Sequence, residues 1–403
     1  MKVVQINAVY EYSSTGRTTT EMHEYLLSQG IKSYVFCTNK SIPERNIFKF
    51  SNTFDKKLHA LLSRIFGLQG MFSFFSTKKL VKQLKKIHPD IVHLRVLHSN
   101  CINFPILLKY LGNNNIPTVI TLHDCWYFTG HCCYFIDANC QKWKNTCGNC
   151  PEIKKWNSSL FFDNSSKLLT KKKELFSNIK HLAVIGVSDW VTGFIKDSIL
   201  KDAQIVRRIY NWIDLSKFTP RDSNSIRKSI NLTDTDFVVL GVAQIWAPQK
   251  GLDEFIKIAQ RCPEMKFVIV GNPLKSNLPN NIICVGIISN VDKLIDMYSM
   301  ADVFFNPSLR ETFGKVTAEA IASGTPTVAY RATATPELVK DGCGYIVEVG
   351  DIDSAINYLQ IIKKNGKNYY FDNCKLFAEN NFKKEILIKE YLRLYTELQE
   401  RNQ

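Results

Sequence analysis

The sequence lacks any long run of apolar residues. Its 403 residues are 45 % hydrophobic and 22 % charged, but no stretch reaches the ~20 apolar residues that a membrane-spanning helix needs. The opening residues hold one lysine and a short apolar run broken by Gln5 and Asn7, which predicts a β-strand rather than a signal peptide. Internal repeats and low-complexity tracts are also missing. We therefore expect a cytoplasmic protein of roughly two or three globular domains.

The first half of the chain is short of acidic residues. Residues 1–200 hold 26 Lys/Arg against 13 Asp/Glu, whereas residues 201–403 hold 26 against 24. Most of the formal charge of +15 therefore lies in the first half. This asymmetry indicates an anionic partner for that half, such as nucleic acid, a phospholipid surface or a phosphorylated substrate. A basic surface that serves only solubility is the alternative.

Short apolar runs rich in β-branched residues alternate with helix-like stretches along nearly the whole chain. Such alternation is typical of βα units that build a parallel sheet. The pattern restarts after the polar segment 211–225, so we predict two α/β domains and a final amphipathic helix that crosses back to the first domain. The predicted bounds are 1–208, 209–381 and 382–403.

Two glutamates follow a predicted strand of the second domain. Glu311 comes after that strand, Gly314 precedes a helix-like stretch, and Glu319 lies inside the stretch. A helix N-terminus offers free N–H groups and the positive end of a dipole to a phosphate, and carboxylates accept hydrogen bonds from hydroxyl groups. Lys250, at the end of the domain's first strand, could neutralise a diphosphate. We therefore predict one long ligand with phosphate and hydroxyl groups; ordinary helix-start and surface residues are the alternative.

These residues carry a family resemblance. The approach "PSLRETFG", the spacing of Glu311 and Glu319, the "KG" at 250–251 and the stretch "PELVKDGCGYIVEVGD" resemble the retaining family 4 glycosyltransferases. The segment "RIYNWIDLSKF" is similar to the segment between that family's two domains. The resemblance covers nearly the whole chain. It implies the GT-B fold, in which two doubly wound, Rossmann-like domains face a cleft and a C-terminal helix returns to the first domain.

The resemblance also assigns roles to the second domain, which would bind a nucleoside diphosphate sugar. Glu319 would hold the nucleotide ribose, Glu311 would act at the donor sugar, and Lys250 would contact the diphosphate. The rest of the donor-binding loop would be Thr312, Phe313 and Gly314.

One position departs from the family pattern. The family has an arginine shortly before the lysine, whereas this chain has Gln244 and Trp246 in that region. Arg310 or Lys315 would be the substitute for the missing cation.

The resemblance implies a transfer that retains the anomeric configuration. The expected path is front-face attack through an oxocarbenium-like transition state, so we assign no nucleophile to Glu311. The helix N-terminus and Lys250 would stabilise the charge that builds on the departing diphosphate. Two Asp-x-Asp sequences, at 234–236 and 351–353, are expected to have structural roles, the second as a helix cap. We therefore expect no cofactor for catalysis and no catalytic metal ion.

The acceptor would bind to the first domain. Gly16 and Arg17 follow the first strand, and His123 and Asp124 follow the strand predicted at 117–122. The resemblance implies that these residues line the cleft, where His123 would position or deprotonate an acceptor hydroxyl. A surface arginine and a hydrogen-bonded structural histidine are the alternatives. His93, in the middle of a strand, is expected to be structural.

Six of the twelve cysteines lie between residues 125 and 150. Clustered cysteines in a chain without an export signal favour metal binding or free thiols over disulfides. Cys132, Cys140, Cys147 and Cys150 could hold a structural Zn²⁺, since four thiolates suit tetrahedral zinc; unliganded thiols are the alternative. The loop resembles that of a subset of bacterial family 4 enzymes.

Residues 54–87 combine phenylalanine, leucine and methionine with eight Lys/Arg. This composition suits peripheral binding to an anionic membrane surface, while a helix pair with a solvated basic face is the alternative. We predict a hexosyltransferase-like enzyme that transfers a sugar to a glycan acceptor, polyprenyl-linked, in surface-polysaccharide or lipopolysaccharide biosynthesis. A GT-B enzyme with a soluble acceptor and a zinc-containing nucleic-acid-binding protein are the alternatives, although no nucleic-acid-binding signature accompanies the basic half.

Overall fold

The computed structural model describes residues 1–155, 158–222, 224–275, 277–340 and 342–402. The chain divides into two compact units. Unit 1 comprises Met1–Ile209 and Ile388–Gln403, and unit 2 comprises Tyr210–Leu387. Each unit is built on one sheet in which all paired strands are parallel.

The sheet of unit 1 has the strand order β3-β2-β1-β4-β5-β6-β7. The chain starts in the middle, builds outward to β3, and then returns to the other side of β1. In such doubly wound sheets, ligands bind beyond the carboxyl ends of the strands where the order reverses. The strands are β1 (Lys2–Ile6), β2 (Lys32–Cys37), β3 (Ile47–Lys49), β4 (Ile91–Leu94), β5 (Thr118–Leu122), β6 (Leu182–Gly186) and β7 (Ile205–Arg208).

Helices connect these strands and cover the sheet. They are α1 (Ser13–Ser28), α2 (Thr53–Phe66), α3 (Phe74–Ile87), α4 (Phe104–Asn113), α5 (Ser165–Ser177) and α6 (Asp189–Gly193). Every residue of β4, β5 and β6 is buried. This is the burial expected of a parallel sheet covered on both faces, and it explains why these strands are continuous apolar runs.

The sheet of unit 2 has the order β10-β9-β8-β11-β12-β13, so its strand order reverses between β8 and β11. The strands are β8 (Val238–Trp246), β9 (Lys266–Pro273), β10 (Ile282–Gly286), β11 (Val303–Asn306), β12 (Thr327–Tyr330) and β13 (Gly344–Val347). The helices are α7 (Asn224–Ser229), α8 (Leu252–Arg261), α9 (Val291–Met300), α10 (Lys315–Ala322), α11 (Ile352–Asn365), α12 (Asn368–Phe382) and α13 (Lys384–Glu400).

The last helix, α13, begins in unit 2, and its residues from Ile388 onward belong to unit 1. Two tyrosines of this helix bond to strands of unit 1. The Tyr395 hydroxyl lies 2.7 Å from Nδ1 of His93, and the Tyr391 hydroxyl lies 3.0 Å from Oγ1 of Thr121. Because Nε2 of His93 also meets Thr121 at 2.8 Å, His93 has the structural role predicted for it.

The predicted pair of parallel α/β arrays is confirmed, with two omissions. The strands β3 and β13 were not predicted; they lie at sheet edges and have four residues or fewer. The first helix starts at Ser13, and the basic segment 54–87 forms two helices, α2 and α3. Within the described ranges, no helix combines the length and the apolarity that crossing a membrane requires.

Candidate functional site

Four of the six donor-side candidates of unit 2, residues 311–314, lie in the loop between β11 and α10. Gly314 stands at the start of α10 with φ = 90°, and no side chain among the described residues caps this helix start. A left-handed φ is rarely adopted by residues with a Cβ, so the turn into the helix depends on glycine here. The first N–H groups of a helix have no partner inside it. The loop therefore ends at a helix N-terminus whose free N–H groups can bind an anion.

Two of the predicted donor residues meet in an ion pair. The ammonium Nζ of Lys250 lies 2.6 Å from Oε1 of Glu311, and both side chains are partly shielded, with 31 % and 14 % of their surface exposed. Lys250 ends a short helical turn after β8, and Glu311 lies in the loop after β11. Since β8 and β11 are the strands at which the order reverses, the pair lies at the position where ligands bind in this architecture.

The backbone around Glu311 is fixed by residues that sequence reasoning missed. Its N–H donates to Oγ1 of Thr333 (2.8 Å), and that hydroxyl donates back to the Glu311 carbonyl (2.7 Å). The N–H of Leu309 donates to the Gln249 carbonyl (2.9 Å), which joins the loop to the residue before Lys250. Asn306 donates through Nδ2 to Oγ1 of Thr317 (2.9 Å) in α10. No sequence signal marks these contacts, because each joins residues that a fold must first bring together.

Glu319 is buried in α10, with none of its surface exposed. Its Oε2 accepts a hydrogen bond from the Tyr298 hydroxyl (3.1 Å), which comes from the last turns of α9. Phe313 and Thr312, the remaining loop candidates, are buried as well. Glu311 is thus paired with Lys250, whereas Glu319 is hydrogen-bonded to Tyr298.

The region that lacks the family's arginine contains a buried tryptophan. β8 continues to Trp246 through a register shift between Val242 and Ile245. The Trp246 ring is buried against Phe255, and its Nε1 donates to the Val270 carbonyl (3.0 Å). Trp246 is therefore a core residue. The two candidate replacements differ in burial, since Arg310 is 9 % exposed whereas Lys315 is half-buried.

The Asp-x-Asp sequences have the structural roles predicted for them. The Asp351 carboxylate accepts from the Ser354 N–H (3.0 Å) and caps α11. The Asp236 carboxylate accepts from the N–H of Thr233 (2.7 Å). These hydrogen bonds lower the pKa of both carboxyl groups.

In unit 1, Gly16 lies in the first turn of α1, the helix that follows β1 after a six-residue loop. A Cβ added to Gly16 would lie 3.3 Å from both the Glu11 nitrogen and Cγ2 of Val9, so the chain passes closely over this helix start. Arg17, the neighbouring candidate, is half-buried. The loop itself is held by Asn7, whose Nδ2 donates to the Val9 carbonyl (2.9 Å).

His123 and Asp124 follow β5, and both are half-buried. Asp124 has two clear partners: its Oδ1 accepts from the Trp126 N–H (2.9 Å), and its Oδ2 lies 3.2 Å from Nε2 of His98. The potential ligand atoms of His98, Asp124 and Cys133 all lie within 4.8 Å of one another. Asp124 therefore organises the turn after β5, and His98 is a neighbour that the sequence did not single out.

The four cysteines of the predicted zinc site lie near one another. Cys132 is influenced electrostatically by Cys150, Cys147 and Cys140, and burial is the main factor that raises its pKa to about 12. Burial likewise raises the pKa of Cys150 to about 11. Within the part of the chain that the structure describes, no three of these four sulfur atoms all lie within 4.8 Å of one another. The side chains share one region of the loop without forming a closed tetrahedron.

A buried lysine lies next to these thiols. The Nζ of Lys172 donates to the carbonyls of Trp126 (2.5 Å) and Thr129 (2.9 Å) and lies 3.6 Å from the centroid of the Trp126 ring. Burial lowers its pKa to about 7, while nearby Cys133, Cys147 and other acidic groups oppose that shift. Thiolates in this loop would therefore stabilise a buried ammonium.

A basic cleft opens beside the start of α2. It has a volume of about 300 Å³, and its lining includes Lys49, Lys56 and Lys57 together with Thr38, which follows β2. The Nζ of Lys56 donates to Oγ1 of Thr38 (3.2 Å). The cleft lies beyond the carboxyl ends of strands and offers cations to an anionic group.

Two family models match the chain in succession. The model described as "Glycosyltransferase Family 4" matches residues 15–217, and the one described as "Glycosyl transferases group 1" matches residues 222–383. The boundary between the matches falls close to the boundary between units 1 and 2.

Curated relatives match over part of their length. A D-inositol 3-phosphate glycosyltransferase from Mycobacterium sp. (strain JLS) is 32 % identical over 173 residues, which is 39 % of this chain and 39 % of the relative. An alpha-galactosylglucosyldiacylglycerol synthase from Streptococcus pneumoniae (strain ATCC BAA-255 / R6) is 26 % identical over 198 residues, covering 41 % of this chain and 51 % of the relative. The match thus spans about two fifths to one half of these relatives.

Solved structures match over nearly the full length. A sucrose-phosphate synthase from Thermosynechococcus elongatus has a TM-score of 0.72 at 17 % identity and covers 99 % of both chains. HepE from Anabaena in complex with UDP-glucose has a TM-score of 0.69 at 15 % identity and covers 98 % of this chain and 100 % of its own. These similarities show the GT-B fold. Since the first family model alone spans half of the sequence and the second follows it, the chain belongs to glycosyltransferase family 4.

Proposed function

We propose that the chain is a retaining glycosyltransferase that moves a sugar from a nucleoside diphosphate donor to a lipid-linked glycan acceptor. The product would be an intermediate of a bacterial surface polysaccharide, such as capsule, O-antigen or lipopolysaccharide. The enzyme would work in the cytoplasm, at the inner face of the cytoplasmic membrane. The observation that carries the proposal is the Lys250–Glu311 pair beside the N-terminus of α10.

The donor would bind along unit 2. Lys250 and the N–H groups at the start of α10 would contact the diphosphate, because both present positive charge at that position. Glu319 would hold the ribose hydroxyl groups, and Glu311 would accept hydrogen bonds from the donor sugar. HepE, with which the chain shares this fold, binds UDP-glucose. This supports a nucleotide sugar as the donor class.

The chemistry would depend on charge stabilisation. As the bond from the anomeric carbon to the diphosphate breaks, negative charge collects on the leaving oxygen, and preorganised cations and N–H groups lower the energy of that state. The acceptor hydroxyl would attack from the same face and retain the configuration. His123 would orient that hydroxyl or take its proton, and Asp124, fixed by His98 and the Trp126 N–H, would support the turn that carries His123.

The acceptor side is proposed from charge. The cleft lined by Lys49, Lys56 and Lys57 would receive a phosphate of the acceptor. The names of the two curated relatives refer to a phosphorylated inositol and to a diacylglycerol lipid. An acceptor with a lipid phosphate would have both the phosphate of the first name and the lipid of the second. A soluble phosphorylated acceptor is the second candidate.

We also propose a structural zinc ion in the loop that holds Cys132, Cys140, Cys147 and Cys150. Thiols are ligands that zinc prefers, and Cys140, Cys147 and Cys150 all influence the Cys132 thiol electrostatically. Binding of the ion would draw the four sulfur atoms closer together than they lie in the structure. Zinc binding would convert them to thiolates despite the high pKa that burial gives them. The buried Lys172 ammonium would then have negative charge nearby. The ion would stiffen the acceptor side of unit 1 without taking part in the transfer.

The test of the donor site is a thermal-shift titration with UDP, GDP, dTDP and ADP. A ligand that binds only the folded state raises stability with the logarithm of its concentration over Kd. We expect one nucleotide to stabilise the wild type and to lose most of its effect in Glu319→Gln. Glu348→Gln, which removes an exposed carboxylate of unit 2 paired with Arg331, is the matched control and should respond like the wild type.

The acceptor class needs a second assay with the nucleotide sugar that this titration selects. Transfer to a polyprenyl-linked sugar, with little transfer to a soluble phosphorylated sugar, supports the proposal. The reverse preference would favour a GT-B enzyme with a soluble acceptor. If no nucleotide stabilises the wild type at millimolar concentration, the proposed donor site is wrong.

A further inference from the structure

The exposed phenylalanines of this protein are concentrated in one part of the chain. Within the described residues, the six phenylalanines with at least 40 % of their surface exposed all lie between residues 54 and 162. They are Phe54, Phe66, Phe74, Phe75, Phe161 and Phe162. Single exposed apolar side chains are ordinary, but a group of large ones marks an interaction surface.

The first part of this group lies on α2 and at the start of α3. Phe54, Leu58 and Leu61 are spaced as on one helix face, with exposures of 77 %, 41 % and 56 %. The start of α3 is tied to α2, since the Ser76 N–H donates to Oδ2 of Asp55 (3.2 Å). Phe75, which is 78 % exposed, precedes that serine. This hydrogen bond joins the two helix starts that carry the exposed Phe54 and Phe75.

The second part comes from a segment about a hundred residues further along the chain. Leu160, Phe161 and Phe162 are 53 %, 73 % and 52 % exposed. The Phe162 ring stacks on Phe66, with ring centroids 6.0 Å apart. The Leu160 N–H donates to the Arg64 carbonyl (2.7 Å). These contacts place residues 160–162 against the C-terminal end of α2.

The approach of this segment to α2 depends on a small residue. A Cβ added to Gly67, the residue that follows α2, would lie 2.4 Å from the Phe162 carbonyl oxygen. Asn164 also donates through Nδ2 to the Phe66 carbonyl (2.6 Å). The backbone of the segment therefore docks on the end of the helix, while its three apolar side chains each keep more than half of their surface exposed.

The other side of the segment is fixed to the Cys-rich loop. The Asp163 carboxylate accepts from the N–H groups of Cys150 (2.6 Å) and Ser165 (2.9 Å). The Nζ of Lys154 donates to the carbonyls of Ser159 (3.0 Å) and Leu160 (2.7 Å). Hydrogen bonds thus hold the backbone on both sides, so the exposure of Phe161 is a property of an ordered segment.

We call the combined set the aromatic surface, and its members are Phe54, Leu58, Leu61, Phe66, Phe75, Leu160, Phe161 and Phe162. The stretch of chain that carries most of its members is basic. Residues 54–87 hold eight Lys/Arg and one acidic residue, Asp55, which is buried. Lys78 lies 4.2 Å from the centroid of the Phe74 ring. Exposed large apolar side chains in a lysine-rich segment match a bilayer, since the apolar groups enter the acyl boundary and the cations meet lipid phosphates.

We propose that the aromatic surface docks unit 1 on an anionic bilayer, with Phe161 and Phe162 inserted together with the exposed face of α2. The inference rests on the proposed function in one respect, because a lipid-linked acceptor is what gives the enzyme a reason to dock. It adds the segment 160–162, which the sequence alone does not connect with residues 54–87. It also assigns the Cys-rich loop a second task, which is to hold the inserting segment.

The test is vesicle co-sedimentation with the full chain. The probes are phosphatidylcholine vesicles with and without phosphatidylglycerol, at about 0.1 M salt, where the Debye length is about 10 Å. We expect the wild type to partition onto the anionic vesicles and the double variant Phe161→Ser/Phe162→Ser to bind about tenfold more weakly. The matched control is Tyr369→Ser/Leu376→Ser, which removes two side chains of unit 2 with exposures of 67 % and 58 %. It should bind like the wild type.

Three results would overturn the proposal. The first is a wild type that stays in solution with anionic vesicles, and the second is a double variant that binds as tightly as the control. The third is self-association in ultracentrifugation that the double variant abolishes, because the surface would then bind a second copy of the chain. The nucleotide thermal shift is measured on the same proteins without vesicles. If vesicle binding behaves as expected while no nucleotide binds, the docking surface stands and the proposed donor site fails.

Discussion

The two units share one architecture but differ in charge. Unit 1 holds 32 Lys/Arg against 17 Asp/Glu, and unit 2 holds 20 against 20, so the entire net charge of +15 belongs to unit 1. The six exposed phenylalanines of the described residues belong to unit 1 as well. Two doubly wound sheets have thus been given different surfaces.

The difference shows which features of the chain follow from the fold and which follow from the partner. Both sheets reverse their strand order near the middle, and both place candidate residues after strands at that point. The fold accounts for the position of the sites but not for what binds there. In unit 2 the site is a neutralised pair beside a helix start, whereas unit 1 adds lysines, exposed aromatic rings and clustered thiols.

The largest expected effect is the loss of stability when the proposed zinc ligands of unit 1 are replaced. The buried thiols of unit 2, for which no zinc is proposed, provide the comparison. In unit 1 we expect one zinc ion per chain by elemental analysis, lost in Cys147→Ser/Cys150→Ser. Because binding free energy of a structural metal contributes to folding, this variant should destabilise unit 1 by several kcal/mol, and a strong chelator should do the same to the wild type.

The matched variant in unit 2 is Cys343→Ser, which changes a buried thiol next to Cys374. It should leave the metal content unchanged. A wild type without zinc after purification in zinc-containing buffer would refute the metal proposal, and the thiols would then be a packing feature of the loop.

The second prediction distinguishes the proposed donor site of unit 2 from the proposed acceptor site of unit 1. Lys250→Ala should lower the rate of transfer about 100-fold or more, because it removes a cation from the charge that develops on the diphosphate. Lys275→Ala, which removes an exposed lysine paired with Asp253, is its control in the same unit. Transfer rates are measured with the nucleotide sugar selected by thermal shift.

The corresponding change in unit 1 is Lys56→Ala/Lys57→Ala at the basic cleft. We expect a raised KM for the acceptor with an unchanged nucleotide thermal shift. If this variant weakens nucleotide binding and Lys250→Ala does not, the assignment of donor and acceptor to the two units is reversed.

Most of the fold could be predicted from the sequence, because central strands of a parallel sheet are continuous apolar runs. The runs at Ile91–Leu94 and Val303–Asn306 carry this signal. The strand Ile47–Lys49 does not, since it is a three-residue edge strand with one exposed residue. Edge strands are short and need less burial, and this removes the pattern by which strands are recognised.

The candidate site was only partly predictable. Glu311, Glu319 and Lys250 stand in local motifs, so the sequence indicated them. Thr333, which exchanges two hydrogen bonds with Glu311, is 22 residues away, and its role depends on the tertiary arrangement. The segment 160–162 was missed for the same reason, because its partner Phe66 is nearly a hundred residues earlier.

The third prediction compares two buried lysines, one from each unit. Lys367 of unit 2 donates to the carbonyls of Ser299 and Ala301 (both 2.8 Å), and burial lowers its pKa to about 8. Between pH 8 and the unfolded value of about 10.5, the unfolded chain holds a proton that the folded chain has lost. Stability of the wild type should therefore rise relative to Lys367→Met across this window, by at most about 3 kcal/mol.

Lys172 of unit 1 sharpens the comparison. Its pKa is lowered to about 7 by burial, but thiolates bound to zinc would favour the ammonium and oppose that shift. We measure the free energy of unfolding in urea as a function of pH. Its pH dependence should differ between the wild type and Lys172→Met only after zinc has been removed by a chelator. A difference of equal size before and after chelation would mean that the thiols carry no charge near this lysine.

The smallest expected effect is that of salt on the two binding reactions. Vesicle binding by unit 1 would combine long-range attraction of exposed lysines with insertion of Phe161 and Phe162, whereas the nucleotide would meet a few partly shielded groups such as Lys250. Screening acts most on exposed charges. Raising the salt concentration should therefore weaken vesicle binding several-fold and change the nucleotide thermal shift less. The residual binding at high salt measures the aromatic contribution, and it should be absent from Phe161→Ser/Phe162→Ser. Equal residual binding by that variant would assign the docking to charge alone.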